Sequence, residues 1–278
     1  MKVFISADME GISGITDIED ILPNGRTYEY CRKLFTKDVN AAIEGALEGG
    51  ATQIVVNESH GPMRNLLPEE LHPKAEVVRG FYKPLLMMEG LDDSFDAVFF
   101  VGYHGKAGEK DAILNHTFLG SSIQRLYLNG REVSEGDYNA AVAGELNVPV
   151  VLLTGDSQTC ADARRNFPGI ITTEVKRGIG AFTAQCLHPK IARELIKSDA
   201  RKAVENCKAV KPVEKQSSYT IDIEFKHTNM ASIASYIPQV EWVDPRTVRY
   251  ITDDLIKGTR VLLALMLLSI QASGTMRF

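Results

Sequence analysis

Short apolar runs alternate with stretches of helical spacing through the first half of the chain. Lys2 to Ala7 (KVFISA) reads as a buried strand. Cys31, Leu34, Phe35, Val39, Ala42, Ile43, Ala46 and Leu47 then recur on one helical face, and Gly49-Gly50 stands where that helix should end. Thr52 to Asn57 (TQIVVN) and Asp96 to Gly102 (DAVFFVG) are further strands. Ile123 to Leu128 and Arg131 to Ser134 flank Asn129-Gly130, the type I′ signal of a hairpin. Asp137 to Leu146 reads as a helix and Val148 to Thr154 as a strand. The alternation predicts an α/β fold with a mostly parallel sheet flanked by helices on both faces.

The last third changes character. Pro189 opens a helical pattern through Ile191, Leu195, Ala200, Val204 and Cys207 that closes before Pro212. Tyr219 to Phe225 alternates as a half-exposed strand, and Thr252-Asp253-Asp254 has the character of a capped start to a helix reaching about Ser269. The expected organisation is an α/β domain over residues 1–190 and a smaller α+β domain over 191–278.

Composition narrows the partners. With 44% hydrophobic and 24% charged residues, the 278-residue chain falls among globular proteins and outside the disordered and collagenous classes. The net charge of −5 and the lack of a basic block argue against nucleic acid or an anionic membrane as partner. The apolar run Val261 to Leu268 is too short to span a bilayer. Met1-Lys2 leads straight into a strand pattern without a signal peptide, so a cytoplasmic protein is expected. Cys31, Cys160, Cys186 and Cys207 lack CxxC spacing, which speaks against a structural zinc knot.

The candidate chemistry gathers at strand ends. Asp8 and Glu10, in Asp8-Met9-Glu10-Gly11, follow the first strand, and in extended chain positions i and i+2 face one way. Alone they would be ordinary solvated turn acids. His60 follows TQIVVN in Asn57-Glu58-Ser59-His60-Gly61, and His104 follows DAVFFVG in Gly102-Tyr103-His104-Gly105. Three strands thus deliver carboxylates or imidazoles to the carboxyl edge of the sheet, where open α/β sheets place their sites. Carboxylates with imidazoles and no cysteine suit zinc or a similar divalent ion. Two ions would need a bridging acid, for which Asp8 is the better placed, and a fifth ligand, for which Glu135 at the hairpin–helix junction is available. His116, in Leu114-Asn115-His116-Thr117, is either an acid/base group beside the metals or a packed strand histidine. Asp156 stands at the same edge as a supporting or substrate-contacting candidate, whereas His72, His188 and His227 read as structural.

Ser6-Ala7-Asp8-Met9-Glu10-Gly11-Ile12-Ser13-Gly14 resembles the SxDxEG signature of the D-aminopeptidases encoded in bacterial dipeptide-transport operons. Asn57-Glu58-Ser59-His60, Glu89-Gly90-Leu91-Asp92-Asp93, Gly102-Tyr103-His104, Asn115-His116 and Glu135 before Asn139-Ala140 agree in kind and order. The resemblance implies a metallopeptidase with two Zn2+ per subunit on Asp8, Glu10, His60, His104 and Glu135, with His116 catalytic. It implies short peptide substrates bearing an N-terminal D-residue such as D-alanine, and a homodecamer of two pentameric rings. One departure is the charged segment Gly105 to Asp111, expected near the substrate path and able to alter side-chain preference. The rival readings are another two-metal hydrolase, amidase or phosphoesterase, and a non-catalytic peptide-binding accessory to a transporter. No Lys/Arg cluster adjoins the motifs to clamp a phosphate.

Overall fold

The computed structural model describes residues 1–274. Its strands are β1 (Lys2–Ala7), β2 (Gln53–Glu58), β3 (Ala75–Val78), β4 (Ala97–Tyr103), β5 (Ile123–Leu128), β6 (Arg131–Glu132), β7 (Val150–Asp156), β8 (Ile171–Gly180), β9 (Thr183–Cys186), β10 (Tyr219–Phe225), β11 (Val240–Asp244) and β12 (Thr247–Thr252). Its α-helices are α1 (Ile18–Ile21), α2 (Tyr28–Glu48), α3 (Glu135–Glu145), α4 (Ser157–Asn166), α5 (Pro189–Glu205), α6 (Thr228–Ala234) and α7 (Leu255–Gly274). One sheet runs β3-β2-β1-β4-β7-β8-β9. It is parallel from β3 to β8 and antiparallel only at β8–β9. The other, β11-β12-β10-β5-β6, is antiparallel throughout.

The parallel sheet is buried on both faces, which explains why KVFISA shows no polar alternation. Val3, Ile5 and Ala7 join Phe35, Val39 and Ile43 of α2 and Ile196 and Ala200 of α5 in one core. Phe4 points the other way, into a core with Phe100, Tyr138 of α3, Cys160 of α4, Ile221 of β10 and Leu263 of α7. Helices therefore cover both faces, as the alternation predicts, and the antiparallel sheet joins the second layer. Asn129 and Gly130 both have left-handed φ, 53° and 76°, the backbone that a type I′ turn needs.

The sheets do not part at residue 190. Helix α5 packs along α2 on the parallel sheet. The β5–β6 hairpin of the first half pairs with β10 of the last third, Leu126 opposite Ile223 and Leu128 opposite Ile221. A lone hairpin is marginal in water, and the strands that complete its sheet arrive about a hundred residues later. Several elements carry no run that periodicity detects. β8 (ITTEVKRGIG) is an internal strand of the parallel sheet despite Glu174, Lys176 and Arg177.

Helix α7 starts later than expected. Asp254 accepts from Lys257 N at 3.1 Å and is its cap, while Thr252 Oγ1 accepts from Asp254 N at 3.1 Å in the turn before. The 18-residue window Leu255–Ala272 has mean hydropathy 1.5, which by length and composition alone reaches the size of a membrane span and exceeds the apolar run seen in the sequence. In the fold it packs on α3, α6 and β12, burying Leu255, Leu262, Leu265 and Met266.

Candidate metal centre

The loop leaving β1 is pressed against the end of β4. Asp8 N donates to Val101 O at 2.8 Å and Gly11 N to Gly102 O at 2.7 Å. A Cβ on Gly11 would meet Tyr103 O at 2.1 Å, and one on Gly102, at φ +76° in the left-handed region, would meet Asp8 O at 2.1 Å. Only glycine fits at either place. Buried Lys176 of β8 then gathers the loop from below: its Nζ donates to the carbonyls of Glu10, Ile12 (2.9 Å) and Ile15 (2.6 Å). A second buried lysine, Lys83, does the same for the end of β2, donating to Asn57 Oδ1 and Glu58 O at 2.6 Å and to Val78 O at 2.9 Å. Burial pushes both ammonium groups down to about 8.

Against this frame, the sequence-derived candidates converge. His60 Nδ1 lies 2.8 Å from Glu10 Oε2 and 3.5 Å from Asp8 Oδ1. His104 Nε2 lies 3.4 Å from both Asp8 Oδ2 and Glu135 Oε1. His116 Nε2 lies 3.6 Å from Glu135 Oε1, and its ring stacks on His104 at 4.2 Å. Glu135 opens α3 behind Ser134, whose capping box with Asp137 sets the helix start. Each imidazole has its other nitrogen engaged by a backbone carbonyl: His60 Nε2 by Ile21 (3.0 Å), His104 Nδ1 by Gly105 (2.9 Å) and His116 Nδ1 by Leu114 (2.9 Å). Such outer bonds fix the ring and turn the remaining nitrogen toward the acids, the usual arrangement of metal-ligating histidine.

The donors form three overlapping sets with ligand atoms within 4.8 Å of one another: Asp8, Glu10 and His60; Asp8, His104 and Glu135; Glu10, His104 and His116. Asp8 belongs to two of them and turns one oxygen to each of two histidines. Its Oδ2 and His104 Nε2 are buried with no hydrogen-bond partner. Buried polar atoms are almost always satisfied, and a cation between them is the group this donor set fits.

Packed this closely, the groups shift one another's protonation. Burial and the Glu10 charge push Asp8 up to about 7. Burial opposes ionisation of Glu10, but the charge and hydrogen bond of His60 hold it well below the usual range. Burial likewise opposes protonation of His60 and His104. Glu10 nevertheless raises His60 well above its ordinary value, and Glu135 raises His104 to about 10. His116 moves the other way, lowered by burial and by the His104 charge.

His116 sits on the loop between β4 and β5 rather than in a strand, with 27% of its side chain exposed. Asp156 supports that loop. Its Oδ2 accepts from Ile113 N at 3.0 Å while Oδ1 caps α4 through Thr159 N at 2.8 Å, and it does not line the cavity described below. The charged segment Gly105 to Asp111 also lies away from the cavity wall. Lys106 pairs with Glu109, which also accepts from Gln158 of α4 at 3.3 Å, so these two charges are spent on the scaffold. His72 and His188 accept local backbone N–H groups, from Lys74 and Lys190 at 3.2 Å.

A cavity of about 770 Å³ opens onto Asp8, Glu10, His60, His116 and Glu135. Its walls are apolar, with Ile21, Leu22, Met63, Phe81 and Phe182 on one side and Leu263, Met266 and Ile270 of α7 among the rest. None of these wall residues is distinguishable in the sequence from core or surface hydrophobes. The polar residues beneath the site, Ser6, Tyr103 and Asn139, were visible there only as part of the quoted motifs.

Comparison with known proteins agrees with this geometry. Residues 1–264 match the D-aminopeptidase family, peptidase M55. The chain is 34% identical over 274 residues to the D-aminopeptidase of Bacillus subtilis (strain 168), covering 98% of this chain and 99% of that protein. Its structure matches that of the Zn-dependent D-aminopeptidase DppA from Bacillus subtilis, described as a self-compartmentalizing protease, with a TM-score of 0.94, 33% identity and 98% coverage of both chains. By its sequence along nearly its whole length, this chain belongs to the D-aminopeptidase family of peptidases.

Proposed function

We propose that this protein is a zinc-dependent D-aminopeptidase with two Zn2+ per subunit, releasing N-terminal D-residues of the D-alanine kind from short peptides. The observation that carries the metal is the pair of orphaned, buried atoms Asp8 Oδ2 and His104 Nε2, facing each other at 3.4 Å. Asp8, Glu10 and His60 would hold one ion and Asp8, His104 and Glu135 the other, with Asp8 shared. When bound, zinc supplies Lewis acidity that polarises a carbonyl and lowers the pKa of water toward 7.

The protein residues supply the rest. Apolar walls exclude bulk water and receive the substrate's side chains. Asp8, Glu10 and Glu135 would be neutralised as ligands of the two ions at the cavity floor, where the amino end of the peptide would bind. His116, with Nδ1–H held by Leu114 O, is kept neutral and turns Nε2 to the cavity. It is placed to accept a proton from the attacking water and return it to the amine as the C–N bond breaks. The resemblance of the chain to a self-compartmentalizing relative supports a homo-oligomer, with two pentameric rings as the proposed form. Exposed Ile179, Phe182, Leu187, Ile191 and Leu195 on the β8–β9 and α5 side are the surface such contacts would use. Sedimentation should then show a species near ten chains, and a monomer would overturn that assembly.

The test compares metal-free and zinc-reconstituted protein on D-Ala-D-Ala and L-Ala-L-Ala. Zinc-dependent cleavage of the D-peptide alone is expected. Cleavage of the L-peptide would sink the D-specificity, and no cleavage of either with two zincs bound would overturn the peptidase reading.

A further inference from the structure

We propose that Lys226 binds the free carboxylate of the substrate peptide and so confines the site to short peptides; this rests on the peptidase reading above. Among the described residues lining the cavity, Lys226 is the one ammonium or guanidinium group, set against Asp8, Glu10 and Glu135 at the floor. Lys226 is itself solvent-exposed, and it reaches the wall beside His116 through Gly120. Its Nζ donates to the carbonyl of Gly120, and Gly120 packs directly on His116, where a Cβ would lie 3.1 Å from His116 Cβ. Its backbone is pinned by Lys226 N donating to Ser122 O at 2.8 Å, so the side chain starts from a fixed point. The Gly120 bond uses one of three N–H donors, and no described carboxylate pairs with the ammonium.

An extended peptide with its amino end at the metal centre points its other end along the cavity, whose one basic side chain among the described lining residues is Lys226. With the scissile bond at the metal centre, a carboxylate a residue or two away comes within reach of Lys226. A longer peptide, or a C-terminal amide, puts a neutral peptide group at that position and forgoes a charge-assisted hydrogen bond.

The zinc-loaded protein is assayed on D-Ala-D-Ala and on D-Ala-D-Ala amide. In parallel, calorimetry measures binding of the uncleavable reduced-amide analogues of both. The acid is expected to be preferred over the amide by about 2- to 5-fold in kcat/KM and in Kd, the range of a solvent-exposed charge pair. In Lys226→Met that ratio should collapse to near one, mainly through KM, and Lys226→Arg should restore most of it. Circular dichroism melts of both variants check folding. A wild-type ratio near one, or a ratio kept in Lys226→Met, overturns the proposal. Peptide cleavage without acid preference would sink the anchor and leave the peptidase reading standing. Lys226-dependent binding of the acid analogue without cleavage of any peptide would do the reverse.

Discussion

Ser6 and Asp8 stand two residues apart at the carboxyl end of β1, yet the polar groups around them are opposite in kind. Ser6 Oγ lies 2.7 Å from both Ser59 Oγ and Tyr103 OH and donates to Met87 O at 2.8 Å; Tyr103 OH in turn accepts from Asn139 Nδ2 at 3.0 Å. Neutral hydroxyls and amides carry both donors and acceptors, so this buried network closes on itself. Around Asp8 the groups are carboxylates and imidazoles, three acids and three rings with Asp8 Oδ2 and His104 Nε2 left over. Such a set has too few hydrogens to satisfy itself once ionised, and it calls for a cation. A closed polar cluster holds structure, and an open one marks where something binds.

Four experiments press on that contrast. Asp8→Asn keeps the shape and removes the shared charge. Its activity should fall by more than the roughly 10- to 100-fold typical of outer-shell changes, with bound zinc reduced in elemental analysis; full zinc content would dissolve the distinction between the clusters. His116→Ala should lower kcat by about 10²- to 10⁴-fold with zinc retained, and loss of zinc would make His116 a ligand instead. Asp8, pushed up to about 7, and His104, pushed up to about 10, must shed protons to bind metal. Binding therefore releases protons, and zinc affinity should rise with pH between about 6 and 8, up to tenfold per unit for each proton displaced. A flat competition titration would contradict it. The smallest effect belongs to Ser6→Ala, which removes the Ser6 partner of the buried Tyr103 hydroxyl. Denaturant unfolding should show a loss of about 1–3 kcal/mol while zinc content stays as in the wild type.

Much of the parallel layer was legible beforehand because its strands are buried on both faces. Lys2–Ala7 appears with the bounds the pattern predicts, and β2, β4 and β7 shift by one or two residues; in the antiparallel sheet, the alternating Tyr219–Phe225 also keeps its bounds. β8 escaped because Lys176 is buried there by its three carbonyl partners, a pairing invisible along the chain. Glu135 was findable as an acid at a helix start, but its approach to His104 required α3 to be folded back onto β4.

What the sequence by itself determined is local: which runs are strands, where they stop, and that Asp8, Glu10, His60 and His104 follow strand ends on one edge of a parallel sheet. Backbone periodicity and turn chemistry act over a few residues, so these are written in order along the chain. Only the tertiary structure decided that a hairpin at residues 123–132 completes a sheet from residues 219–252, that α7 walls the cavity, and that Lys226 faces it. Those depend on long-range packing, in which an apolar helix face or a single lysine acquires its meaning from what the fold sets opposite it.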